Sequence, residues 1–233
     1  MPEDEIEIQA KEWVKNNKKI LIEKFASLIN FPAVKNPFTI FMAGCPGAGK
    51  TEFSKSFIQG YDPNTKIVRI DADEIRDLIP QYKDGNAYKV QGAAAIGVEK
   101  IFDYVQNHNQ NVILDGTFSD YDIALDDVNK ALGRNRKVGI MFIYQEPEIA
   151  WEFTKKREKV EGRHVDKKMF INSFFNSQDT VNRIKKKFGN NIELNLVIKN
   201  YENGFEKTRF KIDLLDSYIS MKYTLEDLER LLT

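Results

Sequence analysis

The chain has 233 residues, 42% of them hydrophobic, and 35 basic and 35 acidic residues give it a formal net charge of zero. This size suits one α/β domain with a buried core. Because the net charge is zero, the chain has no overall positive electrostatic field that would attract nucleic acid or an acidic membrane surface. No apolar run approaches the roughly 18 residues of a membrane span, and the single cysteine, Cys45, excludes an internal disulfide. We therefore expect a cytoplasmic protein without membrane or nucleic-acid partners.

Helical and strand patterns alternate along the chain. Apolar residues at helical spacing predict one or two amphipathic helices at 4–29, before a buried strand at 38–43. Further strands are predicted at 66–70, 111–114, 138–143 and 192–198, helices at about 87–107, 147–160 and 167–187, and a short terminal helix capped by Thr224. The alternation predicts an α/β fold, a parallel sheet with helices on both faces and a site at the carboxyl ends of the strands.

The first strand leads into a segment that fits the phosphate-binding pattern G-x-x-x-x-G-K-[ST]. Its glycines allow backbone N–H groups to surround a phosphate, and the helix that follows adds its positive end. The lysine is expected to reach the β- and γ-phosphates and the threonine to hold Mg²⁺, so the predicted cofactors are ATP and Mg²⁺. The segment consists of Gly44, Cys45, Pro46, Gly47, Ala48, Gly49, Lys50 and Thr51.

Other motifs narrow the class of phosphate-loop protein. Residues 129–132 lack the aspartate of a GTPase N-K-x-D motif, and the strand that ends at Asp115 lacks the D-E pair of an AAA-type motor. A compact kinase remains. We predict a single P-loop NTPase or kinase domain over 1–233, with a helical lead at 1–36, a core at 37–200 and an appendage at 201–233.

A kinase needs a carboxylate to accept the proton of the acceptor hydroxyl, and the second predicted strand ends in two candidates. Alternation along an extended segment would point Asp71 and Asp73 to the same side, at the mouth of the sheet. Either residue could instead cap a helix that begins near Glu74. We favour Asp73 for catalysis, and leave capping or metal support open for Asp71.

Basic side chains from a lid could neutralise the charge on the transferred phosphoryl group, because a guanidinium stays charged and can grip two phosphate oxygens. The basic stretch 133–137 has no aromatic neighbours to stack bases, so it is predicted to be a surface turn rather than a nucleic-acid site.

Several blocks, taken in order, resemble the zeta toxin family, phosphate-loop kinases of toxin–antitoxin systems that phosphorylate UDP-N-acetylglucosamine. The blocks are the phosphate loop, D-x-D-x-x-R-x-x-x-P at 71–80, the triplet 115–117, and Arg157 and Arg163 in the lid region. The resemblance implies that Asp73 is the catalytic base, that Lys50 binds the γ-phosphate, and that Arg157 and Arg163 stabilise the transferred group. It also implies substrate contacts for Glu99, Thr117, Asp115 and Arg76, and a small antitoxin protein as partner. A solvated basic helix is the alternative for the two lid arginines.

The chain departs from the family pattern at two places. Asp115 stands where the best-known members carry glutamate, and Phe118 follows Thr117 where a small or polar pair and an arginine are usual. Two alternatives to a nucleotide-sugar kinase therefore stay open: a salvage or detoxifying kinase for another small alcohol or nucleoside, and a nucleotide-dependent switch without phosphoryl transfer.

Overall fold

The computed structural model describes residues 3–83, 85–161, 164–200, 205–219 and 222–232. Within these residues six strands form one sheet in the order β2-β3-β1-β4-β5-β6. The first five in this order are parallel, whereas β6 pairs with β5 in the antiparallel direction. The strands are β1 (Phe38–Ala43), β2 (Ile67–Asp71), β3 (Asn111–Asp115), β4 (Lys137–Tyr144), β5 (Ile192–Asn200) and β6 (Phe205–Arg209).

Helices connect the parallel strands and cover both faces of the sheet. Right-handed crossovers place α3 on one face and α5, α6 and α8 on the other. The alternating side chains of β1 agree, because Phe41 contacts Phe102 of α5 while Ile40 and Met42 face Phe53 of α3. The helices are α1 (Glu3–Asn16), α2 (Lys18–Ala26), α3 (Lys50–Gly60), α4 (Ala72–Arg76), α5 (Ala87–Asn107), α6 (Tyr121–Gly133), α7 (Pro147–Glu161), α8 (Lys167–Phe188) and α9 (Leu225–Leu231).

The helical lead packs on α5 and joins the main core. Val14 of α1 and Leu21 of α2 are fully buried, and both lie close to Gly97 of α5. A Cβ atom at Gly97 would lie 2.7 Å from Cγ2 of Ile75, on α4. Four helices therefore meet at one residue that has no side chain.

The predicted strands and the helices α5, α7 and α8 are confirmed within one or two residues, whereas the helices predicted over 4–29 end at Ala26. Helix α9 has the predicted cap, a reciprocal pair of hydrogen bonds between Thr224 and Asp227. Three further features differ from the prediction. An antiparallel edge strand, β6, was not predicted, and α4 begins at Ala72 rather than near Glu74. Within the predicted surface turn, Arg136 is buried and donates hydrogen bonds to Thr39 and to backbone carbonyls, because it closes the end of the sheet opposite the phosphate loop.

None of the helices in the described ranges is long and apolar enough to cross a bilayer.

Candidate active site

The phosphate loop connects β1 to α3 and lies against the end of β4 and the start of α7. Gly44 and Gly47 have φ angles of +128° and +72°, which side chains with a Cβ rarely adopt. A Cβ atom would lie 2.3 Å from the carbonyl oxygen of Ile143 at Gly44, and 2.0 Å from that of Ala150 at Gly47. Two positions of the loop therefore require glycine for both backbone conformation and space.

The reactive side chains of the loop are held close to its backbone. Lys50 Nζ donates to the carbonyl oxygens of Gly44 and Cys45, at 2.9 and 2.7 Å, and Thr51 lies in the first turn of α3. Burial raises the pKa of the Cys45 thiol to about 11, and the charge of Lys50 offsets only part of this effect. The thiol is therefore protonated at neutral pH, which makes it a poor nucleophile.

A cavity of about 260 Å³ opens beside the loop, at the carboxyl ends of β2 and β3. This is the position at which open α/β sheets bind ligands. Seven of the predicted site residues line the cavity together with the loop residues Pro46 and Gly47: Lys50, Thr51, Asp71, Asp73, Arg76, Asp115 and Thr117. Arg157, which was also predicted, lines the cavity from α7. Three further lining residues were not singled out from the sequence: Thr154 of α7, Gln91 of α5 and Val165.

Asp73 lies between two guanidinium groups. Its Oδ1 is 2.9 Å from Arg76 Nη1 and its Oδ2 is 3.7 Å from Arg157 Nη2. Arg76 is buried and also donates to Gln91 Oε1 at 2.6 Å, so α5 fixes its orientation. The carboxylate therefore faces the cavity with a defined orientation and has a cation on each side.

Asp71 takes the helix-capping role that the sequence left open for it. Its Oδ1 accepts from the backbone N–H of Asp73 at 2.9 Å, at the start of α4. Burial raises the pKa of the Asp71 carboxyl, and the nearby charges of Asp115 and Asp73 raise it further, while the Asp73 N–H and Arg69 act in the opposite direction. The aspartate therefore supports the turn on which Asp73 lies.

Arg69 of β2 is the largest omission of the sequence analysis. Its guanidinium contacts Asp71, Glu74 and Asp115 and the hydroxyl of Ser54. Asp115 Oδ2 accepts from Arg69 Nη2 at 2.8 Å and from Ser54 Oγ at 2.9 Å, so this oxygen is already engaged by the protein. An arginine two residues before Asp71 in an otherwise apolar strand was the available signal, since residues i and i+2 share a face.

The remaining predicted residues divide into three cases. Thr117 lines the cavity, and its hydroxyl lies 2.8 Å from that of Ser119. Glu99 is exposed on α5, two turns beyond Gln91, and its charge acts on Asp127 of α6, so the structure does not bring it to the cavity. Arg163 lies outside the described residues.

Mg²⁺ fits the donors at the loop. The described residues contain no group of three or more His, Cys, Asp or Glu side chains that could hold a metal ion. A nucleotide-bound Mg²⁺ needs no such group, because it takes most of its ligands from phosphates and water. Thr51 lines the cavity beside Lys50, and its side-chain hydroxyl is a hard oxygen donor of the kind that Mg²⁺ prefers.

Solved structures of similar fold share little sequence with this chain. A structure of the PezAT chromosomal toxin–antitoxin system of the human pathogen Streptococcus pneumoniae is 17% identical, with a TM-score of 0.65, and the match covers 96% of this chain and 92% of that one. The AvrRxo1-ORF1:AvrRxo1-ORF2 complex with ATP is 11% identical, with a TM-score of 0.59 and coverage of 95% and 74%.

A third structure, from the Pnkp1/Rnl/Hen1 RNA repair complex, is 20% identical, with a TM-score of 0.52 and coverage of 65% of this chain and 47% of that one. At these identities the likeness shows the fold, a P-loop kinase-like α/β fold. A search of the curated proteins found no match.

The family is shown by a different comparison. The sequence model described as zeta toxin matches residues 23–208, a range that runs from α2 into β6 and includes the phosphate loop, Asp73 and Arg157. The match covers most of the chain and every element that lines the cavity. The chain therefore belongs to the zeta toxin family.

Proposed function

We propose that the protein transfers the γ-phosphoryl group of ATP to a hydroxyl of UDP-N-acetylglucosamine or a related nucleotide sugar. One observation carries the proposal: Asp73 lies in the same cavity as Lys50 and Thr51 of the phosphate loop, between Arg76 and Arg157. Phosphoryl transfer requires a base, a phosphate-binding loop and cationic side chains around one cavity.

In the proposed reaction the ATP phosphates lie on the loop, where the backbone N–H groups and Lys50 bind them. Thr51 would hold Mg²⁺, and the ion would supply positive charge that offsets part of the charge of the phosphates. Asp73 accepts the proton of the acceptor hydroxyl and orients its oxygen in line with the γ-phosphorus. Arg157 stabilises the negative charge on the transferred group, since its guanidinium keeps its proton at neutral pH.

The size of the cavity restricts what it can contain. A drug-sized ligand fills a pocket of roughly 300–1,000 Å³, whereas this cavity measures about 260 Å³. It therefore suits the γ-phosphate and the hydroxyl-bearing end of the acceptor, and the rest of a nucleotide sugar would lie outside it. The acceptor's identity is then decided by residues around the mouth of the cavity.

The experiment is mass spectrometry of a nucleotide-sugar panel incubated with the protein, ATP and Mg²⁺. We expect a phosphate on UDP-N-acetylglucosamine, and we expect Asp73→Asn to lower kcat on the order of 10²- to 10⁴-fold without weakening ATP binding, because the variant loses only the base. The control is Asp77→Asn, which changes an exposed carboxyl one turn further along the chain.

Three other results would change the proposal in different ways. Phosphorylation of a different alcohol or nucleoside would indicate the salvage or detoxifying kinase. ATP binding without transfer to any acceptor would indicate the nucleotide-dependent switch. Full activity of Asp73→Asn would remove the residue from the chemistry.

We also propose a small antitoxin protein as partner, because a kinase that consumes a cell-wall precursor has to be restrained in its own host. The similarity of fold to the PezAT system supports this proposal. Expression of the protein alone should arrest growth, and Lys50→Ala should abolish the arrest, since the variant loses the phosphate-binding ammonium. Unimpaired growth of cells with the unmodified protein would contradict the toxin assignment.

A further inference from the structure

Arg69 connects four structural elements beside the proposed active site. It lies within β2, and its side chain is only 9% exposed. Nε donates to Ser54 of α3 at 2.9 Å, Nη2 to Asp115 at the end of β3 at 2.8 Å, and Nη1 to Glu74 of α4 at 2.6 Å. Nη2 also donates to Asp71, the last residue of β2. One guanidinium thus joins the phosphate-loop helix, two strand ends and α4.

The two aspartate carboxylates beside Arg69 depend on its positive charge. Asp71 and Asp115 are paired in register on neighbouring strands, and both carboxylates are largely buried. Glu74 has a second cation, Lys55, at 3.7 Å, whereas the two aspartates share Arg69. Without it, two buried like charges would face each other, and a buried charge that has lost its partner is strongly unfavourable.

The bonds lead directly from Arg69 to the proposed base. Asp71 uses one carboxylate oxygen for Arg69 and the other for the backbone N–H of Asp73. Since α4 has only five residues, its start depends on this cap and on the contact between Glu74 and Arg69. The direction of the Asp73 side chain follows from the position of this turn.

We propose that Arg69 is a positioning residue for phosphoryl transfer: through Asp71 and Glu74 it holds the turn that presents Asp73 to the acceptor hydroxyl. This inference rests on the proposed kinase function. Arg69 is not among the residues that line the cavity, so it acts through its neighbours rather than on the substrate. A displacement of about 1 Å at a reacting group can cost on the order of 10²-fold in rate.

The test compares Arg69→Met with Arg69→Lys in the full chain. Methionine fills the space without charge or donors, whereas lysine keeps a cation but cannot bind several oxygens in a fixed plane. We expect Arg69→Met to lower kcat for UDP-N-acetylglucosamine phosphorylation at least tenfold, with a KM for ATP that stays within about threefold. Arg69→Lys should recover part of the lost kcat.

Hydrogen exchange supplies a readout that does not need turnover. In Arg69→Met the amides of residues 71–77 should exchange faster, while those of β4 and α8 keep their rates. Arg183→Met is the control, since it removes an exposed arginine that pairs with Asp179 on α8. If Arg69→Met fails to fold, Asp71→Asn tests the same connection, because asparagine can cap α4 but carries no charge for Arg69.

The outcomes separate this inference from the proposed function. Two results overturn the positioning role alone, provided that the unmodified protein is active. One is full kcat in Arg69→Met. The other is a loss of kcat that Arg69→Lys does not reduce and that only follows the fraction of unfolded protein. An unmodified protein that phosphorylates no acceptor overturns the proposed function, and the role of Arg69 in it.

Discussion

Asp127 of α6 shows how a single residue can reduce the stability of the fold. Burial raises its pKa to about 6, and the charges of Asp126, Asp103 and Glu99 add to this, although Lys130 opposes them. The unfolded chain has a carboxyl pKa of about 3.9. The folded state therefore binds this proton more tightly, so the contribution of Asp127 to stability is greatest below pH 4 and is lost as the pH rises through about 6.

We expect Asp127→Asn to raise the free energy of unfolding at pH 7.5 by about 1–2 kcal/mol. The effect should be much smaller at pH 4, where the folded protein keeps this carboxyl protonated and about half of the unfolded chains do so too. Urea unfolding at the two pH values measures this difference. Asp122→Asn is the control, because Asp122 is exposed on the same helix. A lower stability of Asp127→Asn at pH 7.5 would show that the charged carboxylate is favourable where it lies.

Single residues also show how far the sequence could be used to find the site. Asp73, Lys50 and Thr51 belong to recognisable motifs, and all three line the same cavity. Arg69 has no motif, because its role depends on Asp115 of β3 and Glu74 of α4 as well as on Asp71 of its own strand, and only the folded sheet brings them together. Glu99 was expected at the substrate because of its family counterpart, but of α5 it is Gln91 that lines the cavity, and Glu99 is exposed two turns further along. The packing of α5 decides which of its residues reach the cavity.

Among the structural elements, α7 packs directly against the phosphate loop. The carbonyl oxygen of Ala150 and the hydroxyl of Thr154 occupy the space that a side chain at Gly47 would need. The same helix carries Arg157. The loop that binds phosphate and the helix that supplies a cation are therefore packed against each other.

We expect Gly47→Ala to weaken ATP binding at least tenfold and to lower the melting temperature. The new methyl group would collide with Ala150, and an L residue with φ near +72° costs about 1–2 kcal/mol. Gly60→Ala is the matched control, since no atom lies within 4 Å of its new Cβ. Calorimetric titration with ATP measures the affinity, and unchanged binding by Gly47→Ala would show that the loop does not hold the nucleotide as we propose.

The edge strand β6 illustrates a limit at the level of elements. Its sequence, Phe-Glu-Lys-Thr-Arg, is short and rich in charge, so it has little strand signal of its own. Charged residues suit an edge strand because they discourage pairing with other chains. The pairing with β5 arises from tertiary contact, which local pattern could not indicate.

In the molecule as a whole, the helical lead and the proposed active site are connected through Gly97. Its missing side chain allows α1, α2 and α4 to approach α5, with Ile75 of α4 nearest. Because Asp73 lies two residues before Ile75, any displacement of α4 at this junction also displaces the proposed base. Packing far from the phosphate loop thus bears on the chemistry.

We expect Gly97→Val to lower the free energy of unfolding by about 1–3 kcal/mol, through overpacking, and to lower kcat while ATP affinity is kept. Gly92→Val is a matched control on the same helix, since a Cβ atom there would lie nearest to the flexible ends of the Lys11 and Glu7 side chains rather than to the core. Thermal unfolding and phosphoryl-transfer rates measure the two effects. A loss of stability with full kcat would show that the junction does not control α4.

The sequence by itself determined the phosphate loop, the order of strands and helices along the chain, and the candidate base. These features depend on local periodicity and on motifs in which the ligand sets the spacing of the residues. The tertiary structure decided which side chains meet. It placed Arg69 among three carboxylates, turned Asp71 into a helix cap, buried Arg136 and left Glu99 away from the cavity. The physical reason is that charge pairing and close packing depend on distances between elements far apart in the chain, and those distances exist only after the sheet and its helices have assembled.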